Sequence, residues 1–140
     1  MARVEAQREL LAPPEDVWTF VSDPWRIRDW WPGISGLQLD RRGFAPGARW
    51  QIVGDNTPSL FRRPNMTGTL VVREVSPPRL FAFHLTGDRI DVQLHLAPAG
   101  PDRTLARVTV TGPALIGLKR SLPRRALDRL HDLCQTAADY

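Results

Sequence analysis

The feature that most constrains the fold is an apolar stripe near the C-terminal end of the sequence. Its members recur at every third or fourth position, the spacing of one face of an α-helix: Leu115, Leu118, Leu122, Ala126, Leu130, Leu133 and Ala137. Pro123 lies inside this segment, and proline in a helix interior removes a hydrogen bond and crowds the preceding turn. The stripe therefore predicts a long amphipathic helix that either kinks at Pro123 or begins near Ser121.

Six strand-like runs precede this helix, with turns rich in Gly, Pro and Asp between them. The predicted strands are residues 36–40, 48–53, 67–75, 80–86, 90–97 and 104–111. The alternation is clearest in the run that starts at Ile90, where aliphatic and polar side chains take turns. This layout is typical of an antiparallel meander with one apolar face.

The N-terminal part adds one strand and two short helices. Residues 3–11 alternate like a half-buried strand, and Arg8 alone breaks the apolar side. A helix start follows at 12–16, and a second short helix is predicted with Asp23 as N-cap and Pro24 at its first position. The sheet needs a cover, and the C-terminal helix is the only element large enough. We expect an α+β fold in which a curved antiparallel sheet of about seven strands wraps around that helix.

Composition bounds the class of protein. A chain of 140 residues with 42% hydrophobic and 24% charged residues can form one domain over residues 1–140, and it lacks the signature of disorder. Cys134 is the only cysteine, so no intrachain disulfide is expected and a buried filler is favoured. The charged start resembles no secretion signal, and no run approaches the roughly 20 apolar residues of a membrane span. We expect a cytoplasmic protein.

Four stretches carry a resemblance to a known family. They are Ala-Pro-Pro-Glu-Asp-Val-Trp at 12–18, Val-Ser-Asp-Pro at 21–24, Trp-Trp-Pro-Gly at 30–33, and Gly-Thr-Leu-Val-Val-Arg-Glu-Val-Ser-Pro-Pro-Arg-Leu at 68–80. With the order of elements, they make the chain similar to the START-like or SRPBCC superfamily, and within it to the polyketide cyclase/dehydrase family. The resemblance covers nearly the whole chain. It implies a helix-grip fold with a cavity between sheet and C-terminal helix, and functions from lipid and quinone carriers to aromatase/cyclases.

If this cavity exists, the apolar faces of the predicted strands and helix are its walls. The candidate ligand-binding residues on these faces are Trp50, Ile52, Met66, Leu70, Phe81, Phe83, Val92, Leu94, Val108, Leu127 and Leu130, with Val72 and Cys134 beside them. Apolar walls suit an apolar or aromatic ligand, and a filled core is the competing interpretation. Trp31 is predicted either to stack on the ligand at the entrance or to anchor its helix, and Trp30 is expected to pack.

The connection 54–65 is long for a hairpin, and long loops in compact domains are often functional. We consider it a lid over the cavity, with Arg62 or Arg63 available to a carboxylate or phosphate head group; solvent exposure of both arginines is the alternative.

Catalytic signals are sparse. The sequence carries no Ser/His/Asp arrangement, Gly-rich phosphate loop or metal-ligand spacing, and we expect no metal and no cofactor. His84 and His95 are expected to point away from the cavity, and His131 is the imidazole that could face it. An enzyme of this type would resemble a polyketide cyclase or dehydrase, with Arg62, Asp91 or His131 as donor or proton carrier. Whether any reaction is catalysed stays open.

The charge points to few partners. The net charge of +4 rests almost wholly on arginines. A basic strip on the last helix could touch an anionic membrane transiently or form a solvated helix face: Arg120, Arg124, Arg125 and Arg129. No nucleic-acid partner is expected, because the aromatic residues are predicted to be buried. The sequence thus favours a small apolar molecule as partner, with a cyclase/dehydrase or a regulatory module with a vestigial pocket as alternatives, and it leaves the oligomeric state open.

Overall fold

The computed structural model describes residues 2–34, 36–53, 68–113, 115 and 117–138. It contains seven strands, three α-helices and two 3-10 turns in this part of the chain. In order they are β1 (Ala2–Leu10), α1 (Pro14–Val21), a 3-10 turn (Pro24–Arg26), α2 (Ile27–Trp30), β2 (Gly36–Gln38), β3 (Arg49–Val53), β4 (Gly68–Ser76), β5 (Leu80–Leu85), β6 (Ile90–Gly100), β7 (Arg103–Gly112), a second 3-10 turn (Gly117–Ser121) and α3 (Leu122–Ala138).

The strands form one antiparallel sheet in the order β1-β7-β6-β5-β4-β3-β2. Its register aligns the apolar rows of neighbouring strands. Phe83 lies opposite Val72 on one side and Val92 on the other, and Val92 lies opposite Val110. Because partners across an antiparallel pair point to the same face, these residues share the inner face of the sheet. The seven-stranded antiparallel sheet and the long C-terminal helix confirm the predicted fold class.

A bulge interrupts β4 and changes which residues face inward. The pairing passes from Val72 opposite Phe83 to Glu74 opposite Ala82, so β4 carries one extra residue there. As a result Val75 lies opposite Phe81, and it packs against the core together with Val72 although the two residues are three positions apart. A bulge of this kind bends the strand and re-aims its side chains.

Strand ends differ from the sequence prediction by more than one residue in two places. β2 stops at Gln38, short of the predicted 40. β6 continues to Gly100, beyond the predicted 97, because the β6–β7 hairpin keeps pairing as far as Gly100 opposite Arg103. Gly100 has φ +130, a backbone conformation that glycine adopts at low cost.

The short helices follow the predicted signals. α1 begins at Pro14 after Pro13, and Val17 and Val21 on its inner side are buried. The Asp23 carboxylate accepts a hydrogen bond from the backbone N–H of Trp25 over 3.1 Å and caps the 3-10 turn. The predicted second helix is therefore split into a 3-10 turn and the single α turn of α2.

Helix α3 begins at Leu122, so Pro123 falls in its first turn, where the backbone needs no N–H donor. Of the two predicted alternatives, a start near Ser121 is the correct one. The buried face of α3 packs on β1, β7 and α2. Arg8, the polar residue on the apolar side of β1, forms an ion pair with Asp128 of α3, which explains its place there. Among the described residues no helix is long and apolar enough to cross a membrane.

Candidate functional site

The most distinctive feature of the interior is a continuous group of aromatic side chains, here called the aromatic cluster. Each ring contacts at least one other member, with ring centroids between 4.7 and 6.3 Å apart. The members are Trp18, Trp30, Trp31, Phe44, Trp50, Phe81 and Phe83. Edge-to-face and tilted contacts of this kind are the geometries that aromatic rings prefer.

The aromatic cluster lies on the part of the sheet that α3 covers least. Helix α3 packs chiefly on β1 and β7. Trp50 of β3 and Phe81 and Phe83 of β5 belong to the other half of the sheet, and α2 brings Trp31 against Phe83 with ring centroids 5.5 Å apart. Aromatic rings therefore cover this half of the inner face in place of the long helix.

The predicted wall residues come together in this interior. Eleven of the candidate ligand-binding residues belong to one buried core cluster, and none of them exposes more than 6% of its surface: Trp31, Trp50, Ile52, Leu70, Phe81, Phe83, Val92, Leu94, Val108, Leu127 and Leu130. Room for a guest among these side chains stays a prediction. Met66, Arg62 and the proposed lid at 54–65 lie outside the described residues.

Two indole groups in the aromatic cluster are unusual. Trp30 and Trp31 are fully buried, and the Nε1 atom of each has no hydrogen-bond partner within the described part of the chain. Trp50 is equally buried, but its Nε1 donates a hydrogen bond to the carbonyl oxygen of Gly43 over 2.8 Å. An unpaired buried donor costs about 1–3 kcal/mol, so the pair at Trp30 and Trp31 requires an explanation.

Sequence reasoning did not name two members of the aromatic cluster, Trp18 and Phe44. Phe44 lies in the connection between β2 and β3, and its ring centroid is 4.7 Å from that of Phe81. The available signal was an aromatic residue inside the turn between Gly43 and Gly47. Such a ring is costly to leave in water, but only the tertiary structure shows which residues it packs against.

The connection that carries Phe44 is anchored at both ends. The Asp40 carboxylate accepts hydrogen bonds from the backbone N–H groups of Arg49 over 2.8 Å and Arg42 over 3.0 Å. These bonds, the one from Arg49 first, lower the pKa of Asp40. At the other end the N–H of Gly47, at φ +87, donates to the carbonyl oxygen of Val72 over 2.8 Å. The anchors hold Phe44 against the aromatic cluster.

His131 lies on a flank of α3 and is partly buried. It follows Asp128 by three positions, which places both on one side of the helix, the side where Asp128 meets Arg8 of β1. Its buried Nδ1 lies 3.7 Å from Oδ1 of Asp132 and has no hydrogen-bond partner in the described ranges. A chemical role for His131 stays a prediction.

The other two histidines lie on the outer face of the sheet. Nδ1 of His84 is 2.9 Å from Oδ1 of Asp91, and Nε2 of His95 is 3.2 Å from Oε1 of Gln93. Both residues alternate with buried apolar neighbours of the inner face, as predicted. Burial lowers the pKa of His95, which favours its neutral form.

Cys134 is a buried residue on the inner face of α3. Burial first, and the nearby charge of Asp16 second, raise the pKa of its thiol to about 11. A thiol with a raised pKa is a poor nucleophile at neutral pH. The prediction of a buried filler is confirmed.

Two of the open clefts along α3 are lined by residues other than the predicted walls, except for Cys134 in the second. One, of about 420 Å³, is lined by Phe20, Arg26, Asp29, Arg129, Asp132, Leu133 and Thr136. The other, of about 360 Å³, is lined by residues 11–13 and by Asp16, Thr19, Phe20, Asp102 and Cys134. Their charged rims suit a mostly apolar ligand less well than the aromatic cluster does. Within the described ranges no group of three or more His, Cys, Asp or Glu side chains could hold a metal ion.

Comparison with known proteins agrees with this architecture. A family model described as polyketide cyclase/dehydrase and lipid transport matches residues 1–134. Among solved structures, a protein from Nitrosospira multiformis is similar with a TM-score of 0.73 and 15% identity, covering 99% of this chain and 100% of that one. The protein XoxI from Bacillus cereus is similar with a TM-score of 0.71 and 14% identity, covering 99% of both chains.

A START superfamily protein from Mycobacterium smegmatis has a TM-score of 0.69 and 16% identity, with coverage of 96% and 98%. At these identities the structural similarities show the fold alone. Comparison with curated protein sequences gives no significant match.

Proposed function

The chain belongs to the polyketide cyclase/dehydrase and lipid transport family, and on this premise we propose that it binds a small, mostly apolar molecule between the sheet and the C-terminal helix. The ligand classes that fit are lipid-, quinone- and polyketide-like molecules. The proposal extends the family assignment by naming the place of binding, which is the aromatic cluster, where the interior between the sheet and α3 continues under α2.

The observation that carries the proposal is the continuity of the aromatic cluster. Rings from β3, β5, α2 and the β2–β3 connection meet on the half of the sheet that α3 covers least. A flat apolar guest can exchange ring contacts with such a wall without leaving polar groups unpaired. The wall carries no charged side chain among its members, so a charged body of the ligand would lose its hydration without compensation.

Phe44 offers the simplest way to admit the guest. It is only partly buried and lies on a connection, whereas Phe81 and Phe83 are fully buried in a central strand. Moving Phe44 outward breaks its contacts with Trp50 and Phe81 but no strand pairing. We therefore assign Phe44 as the side chain that the ligand replaces.

The first test is the binding of the uncharged dye N-phenyl-1-naphthylamine, followed by its fluorescence. Phe83→Ala removes a ring from the aromatic cluster and is expected to weaken dye binding about ten-fold in folded protein. The matched control is Leu96→Ala, because Leu96 is as deeply buried on β6 but pairs with Ala106, away from the aromatic cluster. Equal dye affinity in wild type and folded Phe83→Ala protein would contradict the proposal.

Native mass spectrometry of freshly purified protein is the second test. A co-purifying small molecule of low polarity supports the proposal and identifies the ligand class. Bare protein that also fails to bind the dye would favour the alternative of a regulatory module with a vestigial pocket.

A second candidate function is catalysis in the same cavity by a polyketide cyclase/aromatase or dehydrase. The indole N–H groups of Trp30 and Trp31 have no partner in the described part of the chain, and they favour this function, since such a reaction needs donors to the oxygen of the reacting carbonyl. It also needs a group that moves a proton, and His131 is our candidate. Cyclisation of a poly-β-keto thioester, monitored by absorbance and lost in His131→Asn, would establish this function; no turnover would leave binding alone.

A further inference from the structure

Two neighbouring donors in the core have no acceptor. Trp30 and Trp31 are fully buried, and neither indole N–H has a hydrogen-bond partner among residues 2–34, 36–53, 68–113, 115 and 117–138. Indole is a donor only, and a buried indole normally finds an acceptor, as Trp50 does with the Gly43 carbonyl. Phenylalanine at either position would keep a ring in the core without an unpaired donor. Two such donors on neighbouring residues indicate an acceptor that the described residues do not supply.

Water is a poor candidate for this acceptor. Trp30 and Trp31 contact each other edge to face, with centroids 6.1 Å apart, and both rings contact Phe83 at 6.3 and 5.5 Å. A buried water needs two to four polar partners, and it must donate its own hydrogens as well as accept. Aromatic rings offer it no strong acceptor. A carbonyl oxygen accepts hydrogen bonds and donates none, so it suits these aromatic surroundings better than water does.

The acceptor should also be uncharged. Phe83 and the other members of the aromatic cluster provide no charge to balance a carboxylate or phosphate at this depth. A buried anion without a charged partner is strongly unfavourable, whereas a ketone needs only the hydrogen bonds that indole can donate.

We therefore propose that the indole N–H groups of Trp30 and Trp31 bind an uncharged carbonyl oxygen of the ligand, as in a ketone or a quinone. This inference rests on the proposed function, because it names the chemistry of the guest in the same site. It makes the two tryptophans the residues that distinguish a carbonyl-bearing ligand from a hydrocarbon of the same shape.

The test uses two probes with one carbon skeleton, 1-tetralone and tetralin, which differ by the carbonyl oxygen. In a pocket made only of carbon, tetralin binds better because it is the less soluble in water. Indole donors offset this difference for the ketone. In wild-type protein, 1-tetralone is expected to shift the Nε1–H nuclear magnetic resonance signals of Trp30 and Trp31 downfield, and tetralin is not.

Variants then measure the preference for the ketone, defined as the ratio of the two dissociation constants. Trp30→Phe and Trp31→Phe together should lower this preference about ten-fold. Trp50→Phe is the matched control, since its N–H already donates to Gly43. It is expected to change both affinities by the same factor and to keep their ratio.

The outcomes separate the two proposals. Binding of both probes with an unchanged preference in the Phe variants and no downfield shift would overturn this inference and leave the proposed function intact. Failure of both probes to bind wild-type protein at millimolar concentration would overturn both. Because the resonance shift is measured on wild-type protein, the inference can be tested even where a Phe variant does not fold.

Discussion

The indole N–H of Trp50 donates a hydrogen bond to the carbonyl oxygen of Gly43 over 2.8 Å, and so ties a strand of the sheet to the connection that carries Phe44. Phe44 lies between Trp18, Trp50 and Phe81. Trp50 thus links the sheet to the connection that holds Phe44, a partly buried member of the aromatic cluster. The Trp50 indole therefore has a hydrogen-bond acceptor, whereas those of Trp30 and Trp31 have none among the described residues.

Trp50→Phe should destabilise the protein more than Trp30→Phe does, because the Trp30 N–H has no partner among the described residues. Both changes shrink a buried ring, but only the first breaks a hydrogen bond and leaves the Gly43 carbonyl without its donor. The difference in unfolding free energy is expected to be about 1 kcal/mol. Urea denaturation followed by circular dichroism measures it, and a larger loss for Trp30→Phe would show that its N–H does have an acceptor.

Asp40→Ala should loosen the connection that carries Phe44. The substitution removes the acceptor of the backbone N–H groups of Arg49 and Arg42. If Phe44 is the residue that a guest replaces, dye association in a stopped-flow experiment becomes faster than in wild type. Glu9→Ala, an exposed change on β1 at the far edge of the sheet, is the control. Unchanged association in folded Asp40→Ala protein would exclude Phe44 as the entry point.

The Asp40 carboxylate should make the stability of the protein depend on pH. The pKa of Asp40 is lowered in the folded protein, so its contribution to stability is present above the pKa of the unfolded chain and is lost as the pH falls through the folded value. Denaturation midpoints of wild type and Asp40→Asn should therefore converge in acid. Midpoints that stay equally far apart at every pH between 2 and 7 would contradict this role.

Cys134 should resist alkylation in the folded protein. Its pKa is raised to about 11, so iodoacetamide at pH 8 meets a protonated and buried thiol. Burial favours the neutral thiol, and this contribution to stability is present at neutral pH and is lost as the pH rises from the ordinary thiol pKa towards 11. Mass spectrometry should show labelling in urea at least a hundred-fold faster than in buffer. Comparable rates would place the thiol at the surface.

The ion pair between Arg8 and Asp128 should contribute little. Its side chains are 39% and 50% exposed, and ion pairs in this setting are worth about 0.2–1 kcal/mol. A double-mutant cycle with Arg8→Met and Asp128→Asn, measured by urea denaturation, should give a coupling in that range that shrinks in 1 M NaCl. A coupling several times larger would mean that the pair, and not the apolar stripe, fastens α3 to β1.

Much of the fold was predictable from local patterns. The alternation of apolar and polar residues located the strands. The apolar stripe predicted the C-terminal helix, and Pro123 indicated where that helix begins. The bulge after Val72 was not predictable, because it depends on which strand β4 pairs with. It breaks the alternation that sequence reasoning relies on.

The site was predictable in part for a similar reason. The apolar rows named most of the buried residues around the aromatic cluster, since burial follows strand period. Phe44 was missed because its contacts are set by a turn, and no sequence pattern shows that the indole N–H groups of Trp30 and Trp31 lack a partner among the described residues.

The most direct test of the account is to locate a bound guest. Nuclear Overhauser contacts between 1-tetralone and the protein, recorded on a sample labelled at aromatic side chains, report which rings lie within a few ångströms of it. Binding at the aromatic cluster predicts contacts to Phe83 and Trp31. Contacts to Phe20 at the clefts along α3, with none to Phe83, would contradict it.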